Sequence, residues 1–286
     1  MNSAGTVARR WRPYVLVVLP AAFLLVFFVV PNAFLLAASF LKSDAQVLTD
    51  QFSLEAYGFL FGRPLYRRAL VRTFVVGAMV GALVVLLAYP LAYFLARTTS
   101  RWKGLLMGLS LAPLLASVIV RTYGWWVLLN REGALSDLLR WLGLADAPVV
   151  MLPSVGAIIV GLTHSLLPFG VLSILSALNG INPNLEKAAL SLGATRARTF
   201  FAITLPLSMT GVMAGFLLAF SLSISAYATP TILGGPATET MATLIYKFMV
   251  SLMDWSIGSA LGTLLIVSSL LLIALGTALG ARRSAV

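Results

Sequence analysis

The sequence predicts an all-α, polytopic membrane protein: six transmembrane helices with a helical loop between the fourth and fifth. Three observations carry that prediction. Of 286 residues, 60% are hydrophobic and only 10% charged, where an average soluble domain is about a quarter charged. Six apolar runs are long enough to cross a bilayer as helices, which takes roughly 20 residues each. One amphipathic island, Leu178 to Pro206, interrupts them.

The first run, about 14 to 40, follows the basic segment MNSAGTVARRWRPY. It is about twice the length of a signal-peptide core of ~7 to 15 residues, so it reads as an uncleaved anchor. The others are about 74 to 96, 105 to 129, 149 to 178, 209 to 233 and 257 to 279. Segment 41 to 73 is expected to open with a surface-lying amphipathic helix. An even number of spans puts both termini on one side, and Lys and Arg decide which. With cytoplasmic termini that side holds Arg9, Arg10, Arg12, Arg97, Arg101, Lys103, Lys187, Arg196, Arg198, Arg282 and Arg283, eleven of the twenty basic residues. The cluster Arg63, Arg67, Arg68 and Arg72 opposes this. The basic, nearly acid-free termini and the short loop 97 to 104 decide for cytoplasmic ends.

The formal charge of +11 is explained by membrane orientation and anionic headgroups rather than by nucleic acid. Cysteine is absent, which excludes disulfides and thiolate metal sites. With no internal repeat and no Pro/Gly/Ser linker, residues 1–286 read as one domain. The spacings Gly77/Gly81, Gly211/Gly215, Gly258/Gly262 and Gly276/Gly280 support close helix packing.

Within the island, Asn182 is expected to cap a short helix with Pro183 at its first position. Leu185, Ala188, Ala189 and Leu192 fall at i, i+3, i+4, i+7, leaving Glu186, Lys187 and Ser191 off that stripe. Gly193 permits a left-handed stop. Thr195 caps a second helix carrying Arg196, Arg198, Phe200, Phe201 and Ile203, which Pro206 ends. Two readings follow from the residues alone: a small-residue elbow that another protein's surface approaches closely, or an interfacial helix lying on headgroups.

No G-x-x-x-x-G-K-[ST] is present, so a Walker loop does not energise this chain from within. The lone His164 reads as a packing residue rather than a proton relay. Neither a catalytic triad nor a carboxylate and histidine cluster is visible, which speaks against an enzyme. Arg121, inside the third span, stands with Tyr123, Trp125 and Trp126. That group is either a substrate gate with aromatic faces for a cation or an interfacial aromatic belt with a snorkelling arginine. Asp254 and Glu239 are candidate attractors of a cation or ordinary outer-loop acids. Ser221, Ser225 and Thr229 are expected to stack on one face near Tyr227, ahead of the helix-distorting Pro230.

The run Glu186, Ala188, Ala189, Gly193, Ala194 and Leu205-Pro206 resembles the cytoplasmic coupling loop of bacterial ABC-importer permeases. One departure is visible: Lys187 stands immediately before the Ala-Ala pair, and the glutamate is one place earlier. YPLAYFLAR at 89 to 97, VRTYGWWVLLNREG at 120 to 133, ILGGP and TLIYKF are similar to the spermidine/putrescine branch of that family. The resemblance implies a six-helix subunit of the bacterial inner membrane, paired with a second permease, two cytoplasmic ATPase subunits and an extracytoplasmic binding protein. It implies that ATP and Mg are bound by the partner ATPases and no cofactor by this chain. Loop 180–206 becomes the ATPase-coupling element, through Glu186, Lys187, Ala188, Ala189, Gly193, Ala194, Leu205 and Pro206. Arg121, Tyr123, Trp125, Trp126, Tyr227 and Asp254 become candidates for the substrate pathway or gate. The expected solute is a polyamine such as spermidine or putrescine. Alternatives are another small solute (amino-acid-like, phosphonate or other zwitterion), an ion-coupled carrier, or a membrane scaffold.

Overall fold

The computed structural model describes residues 17–44, 47–144 and 146–283. The basic residues Arg9, Arg10 and Arg12, and the start of the first expected run, lie outside them. Helices dominate because apolar segments in lipid must satisfy every backbone N–H and C=O internally. Among the described residues, four helices are long and apolar enough to cross a membrane, or up to six spans if each of two bent pairs counts as one.

Backbone contacts divide the chain into two units. The first comprises residues up to Arg63 together with Ile245–Ser268. It opens with α1, Val17–Ala38, whose most apolar window is only 6% buried. Such a surface is tolerable only against lipid or another subunit. An antiparallel hairpin follows, β1 (Leu41–Asp44) paired with β2 (Val47–Phe52), then α2, Glu55–Gly62. Segment 41 to 73 thus begins with strands, and its short helix comes after them. Period-two patterning is absent from LKSD and VLTDQF, so the hairpin had no strong signature in the sequence. Ser256 Oγ donates to the Leu41 carbonyl at 2.6 Å, and Gly262 packs under Leu35.

The second unit comprises Pro64–Leu244 with residues from Ser269 onward. Its frame is α3 (Pro64–Arg97), α7 (Val155–Gly180) and α10 (Met209–Ile224). Helix α3 has 34 residues, roughly 50 Å at 1.5 Å per residue. The span begins with Pro64 at the first helical position, ten residues before the apolar run, because helix and apolar stretch need not share an end: Arg67, Arg68 and Arg72 ride on its polar first turns. Glycines bring the three helices together. A Cβ at Gly77 would fall 2.6 Å from Ile224 Cγ2, one at Gly81 2.9 Å from the Phe216 ring, one at Gly170 2.6 Å from Val84 Cγ1, and one at Gly211 2.5 Å from Ala177 Cβ. Around these contacts Val76, Val80, Val84, Ile158, Leu162 and Ala219 form one core cluster. Ala88, Ala92, Leu95, Val171, Ile174 and Leu178 form a second.

The third expected span is two helices, α4 (Lys103–Leu115) and α5 (Val118–Leu129), and the chain bends there by 99°. After α5, Asn130 turns the chain into α6, Ala134–Trp141. The fifth expected span ends early. Helix α10 stops at Ile224, and α11 (Ala228–Leu233) restarts after three residues. Pro230 accounts for the break: its ring collides with the carbonyl four residues back and offers no N–H to it. Ser221, Ser225 and Thr229 therefore do not share one continuous face. Helices α12 (Met241–Ser251) and α13 (Trp255–Arg283) complete the described chain.

Candidate functional site

The island between α7 and α10 folds as two short helices. Asn182 Oδ1 accepts from the Asn184 amide at 3.0 Å, and Pro183 opens α8, Pro183–Ser191. Gly193 adopts φ +87°, and the Ala194 amide closes the turn onto the Ala189 carbonyl at 3.0 Å. Thr195 Oγ1 then accepts from the Arg198 amide at 3.3 Å and starts α9, Arg196–Leu207. The helix ends at Leu207, one residue past Pro206, as expected. Phe200–Thr204 widens into a π turn, the Ser208 amide still reaches the Thr204 carbonyl at 3.0 Å, and the 61° bend falls between Leu207 and Met209. The bend is pinned by Ser208 Oγ and Tyr89 Oη, 2.8 Å apart. Phe200 sits edge-on to both Tyr89 and Tyr93 at 5.5 Å.

The orientation of α8 differs from its sequence stripe. Glu186 faces inward, its side chain 16% exposed, and accepts from Arg97 Nη2 at 2.7 Å and Nε at 3.2 and 3.3 Å. Thr204 Oγ1 donates to the same carboxylate at 2.9 Å, and Arg97 Nη1 donates to the Leu178 carbonyl at 3.4 Å. One ion pair thus ties together the ends of α3 and α7 with α8 and α9. At about 100° per residue, an inward Glu186 turns Lys187, Ala188, Ser191 and Leu192 outward. All four are exposed, Leu192 at 89%. Ala189 and Ala194 are half-buried. Arg97 and Thr204 were not singled out for this role from the sequence. The only signal for Arg97 was its place at the end of YPLAYFLAR.

Replacing Gly193 by valine is expected to destabilise the elbow by about 1–2 kcal/mol, because an L-residue resists that left-handed backbone even where space is open. A Cβ there meets nothing within 4 Å, so the cost is conformational. Faster amide exchange confined to 189–196 would show it, and unchanged exchange would refute it.

The intramembrane aromatic group is divided by the same periodicity. Arg121 and Trp125 lie on one face of α5, and Tyr123 and Trp126 on another, 54% and 40% exposed. Trp125 Nε1 donates to His164 Nδ1 at 3.2 Å, with the rings edge-on at 5.7 Å. His164 is accordingly satisfied at Nδ1, as a packing residue would be. Thr122 and Thr229 hydroxyls meet at 3.2 Å. Arg121 Nε and Nη1 are buried and find no hydrogen-bond partner among the described residues. Tyr227 stands half-buried in the break before α11, its carbonyl accepting from Thr231 Oγ1 at 2.8 Å. Asp254 belongs to the other unit. Its Oδ1 accepts from the Ile257 amide at 3.1 Å and caps α13, beside a polar hollow of about 230 Å³ that Lys42, Glu55 and Ser256 also line. No cluster of three or more His, Cys, Asp or Glu suited to a metal occurs among the described residues.

Long apolar helices, with an exposed helical elbow latched to them by an ion pair, define a multi-pass membrane protein. Residues 56–285 match the family described as "Binding-protein-dependent transport system inner membrane component". The chain belongs to that family, the permeases of ABC importers, and is a multi-pass inner-membrane protein. It is 31% identical to the spermidine/putrescine transport system permease protein PotB of Salmonella typhimurium over 261 residues, covering 91% of each chain. It is also 31% identical to PotB of Escherichia coli over 260 residues, covering 90% of this chain and 94% of that one. The fold is shared with the crystal structure of a bacterial ABC transporter that imports the acidic polysaccharide alginate, with a TM-score of 0.78 at 19% identity, over 97% of this chain and 98% of that one. The family resemblance drawn from the elbow and from YPLAYFLAR is borne out.

Proposed function

We propose that this permease imports a polyamine such as spermidine or putrescine by alternating access, driven by ATP and Mg bound in partner ATPase subunits and with no cofactor of its own. In this reading both termini are cytoplasmic, a second, similar permease completes the pathway, an extracytoplasmic binding protein delivers the solute, and one of two ATPase subunits grips the elbow. The observation that carries it is the exposed tip of α8: Lys187, Ala188 and Leu192 face away from the bundle while Glu186 secures them to α3. Ala189, Gly193 and Ala194 keep that tip compact, and Leu205-Pro206 leads into the bend. Because Glu186 is spent on Arg97, the ATPase contact passes to Lys187 and its small neighbours.

The polyamine rests on the relatives' substrate. Arg121, together with the half-buried Trp125 and Tyr227, is assigned to the pathway. Its unpartnered Nε and Nη1 favour a second reading, in which the solute carries a carboxylate beside its amine. Tyr123 and Trp126 face outward and suit the aromatic belt. The capping bond of Asp254 gives that residue a structural task that a cation site would share. Uptake of labelled spermidine and of labelled zwitterions into vesicles holding the complex purified from its native membrane tests both readings. Saturable spermidine uptake that fails without ATP supports the first, zwitterion uptake alone replaces it with the second, and ATP-independent uptake defeats both.

A further inference from the structure

The hollow beside Asp254 lies wholly within the first unit. About 230 Å³ in volume, it is lined by Lys42 and Ser43 of β1, Ser53 and Glu55 around the start of α2, and Asp254 and Ser256 at the start of α13, with apolar side chains completing it. Three elements distant in sequence thus bring charges of both signs to one small space.

The hydrogen bonds that build the walls leave those charges unused. Ser256 Oγ ties α13 to β1 through the Leu41 carbonyl at 2.6 Å, Thr49 Oγ1 donates to the Lys42 carbonyl at 2.9 Å, and Ser53 Oγ accepts from the Glu55 amide at 3.1 Å. Asp254 is held at two points: its amide donates to the Phe248 carbonyl at 2.8 Å, and its Oδ1 accepts from the Ile257 amide at 3.1 Å. The residue before it, Met253, takes φ +56°, a left-handed backbone that a side chain other than glycine resists. The Asp254 carboxylate is therefore fixed in place.

Among the described residues, Lys42 forms an ion pair with neither Glu55 nor Asp254. One ammonium and two carboxylates face the same hollow from separate walls without pairing. Charges so placed are complemented by a ligand that carries both signs. A cation alone would be opposed by Lys42, and an anion alone by both carboxylates. The volume is below the roughly 300 to 1,000 Å³ of pockets for drug-sized ligands, so the ligand is small.

We propose that this hollow binds a small zwitterion, with its primary ammonium between Glu55 and Asp254 and its oxyanion, a carboxylate or a phosphate, on Lys42. The site belongs to a different unit from Arg121 and does not depend on which solute the permease imports. Such a pair of charges is offered by a free amino-acid-like solute or by a phosphatidylethanolamine headgroup.

The test uses the full-length chain in phosphatidylcholine nanodiscs and measures binding by calorimetry. Three four-carbon probes differ only in their end groups: 4-aminobutyrate, putrescine and succinate. The parent is expected to bind 4-aminobutyrate about tenfold more tightly than either of the others, since only that probe makes charge-assisted bonds to both signs. Lys42→Gln is expected to bring 4-aminobutyrate and putrescine to similar affinity, and Glu55→Gln to weaken both. Such a change in ranking is a result that misfolding does not give, and size-exclusion profiles check the fold. Repeating the titration in discs containing phosphatidylethanolamine separates the sources: weaker 4-aminobutyrate binding there names the headgroup, unchanged binding names a free solute, and either supports the site. No binding of 4-aminobutyrate by the parent, putrescine binding as tightly, or affinities unchanged in both variants would overturn the proposal.

Discussion

Arg97→Ala is expected to lower solute uptake by about tenfold, equivalent to about 1.4 kcal/mol, while ATPase subunits still bind. The guanidinium is the meeting point of four segments: it holds Glu186 on α8 through three hydrogen bonds and the α7 terminus through the Leu178 carbonyl, and Glu186 in turn holds Thr204 on α9. Removing one member of a fully buried ion pair costs about 3–5 kcal/mol, because the survivor keeps its desolvation and loses its counter-charge. With side chains 20% and 16% exposed, water screens part of that, and about 1–2 kcal/mol is the reasonable scale. This is small against the stability of the bundle but large for the registry of a short helix. The elbow would still present Lys187 and Leu192 to a partner, yet a push on it would no longer reach α3 through a stiff link. ATP hydrolysis should therefore outlast uptake. Glu186→Gln, which keeps the acceptor for Thr204, should fall between the parent and Arg97→Ala. The exchange Arg97→Glu with Glu186→Arg should recover part of the loss. Uptake in Arg97→Ala equal to that of the parent would rule out the link.

Gly211→Val is expected to be the most destabilising change in the bundle, by about 3 kcal/mol, at the upper end of overpacking costs. A Cβ there falls 2.5 Å from Ala177 Cβ, 2.7 Å from the Ser173 carbonyl oxygen and 3.1 Å from Ile174 Cα. Two of those three atoms are backbone, so no side chain can swing away and α10 must separate from α7. The elbow hangs between these two helices, so uptake should fall with stability. Gly108 on α4 is the control: nothing lies within 4 Å of its Cβ position, and Gly108→Ala should be neutral or stabilise by about 1 kcal/mol through helix propensity. Thermal unfolding in detergent separates the two variants. Equal midpoints for Gly211→Val and the parent would mean that the helices are not in contact there.

Much of this protein was legible in its residues because the deciding interactions are local. Apolar runs with few charges become helices whatever surrounds them, since lipid offers the backbone no other partner. Asn182, Pro183, Gly193 and Thr195 act within four residues of themselves, and each caps or turns the chain as its chemistry dictates. The glycine pairs at 77/81 and 211/215 announced close packing, though not which helix would arrive. The breaks were harder. Pro230 signalled a distortion, but a proline disturbs the turn before it, so the gap fell at 225 to 227. Pro206 stands one residue before the end of α9, although the widened turn at Phe200–Thr204 ahead of it had no signal. The hairpin at 41 to 52 had no alternation to betray it.

What sequence alone determined is the membrane class, the family, the number of apolar runs and the capped two-helix elbow. Only the tertiary structure decided which way each helix turns: that Glu186 faces Arg97, 89 residues away, and leaves Lys187 outside, and that Trp125 reaches His164 while Tyr123 and Trp126 face outward. The reason is physical. Backbone hydrogen bonds and capping depend on neighbours a turn away, whereas a helix's rotation about its own axis is set by the sum of contacts with segments distant in the chain, and no local pattern contains that sum.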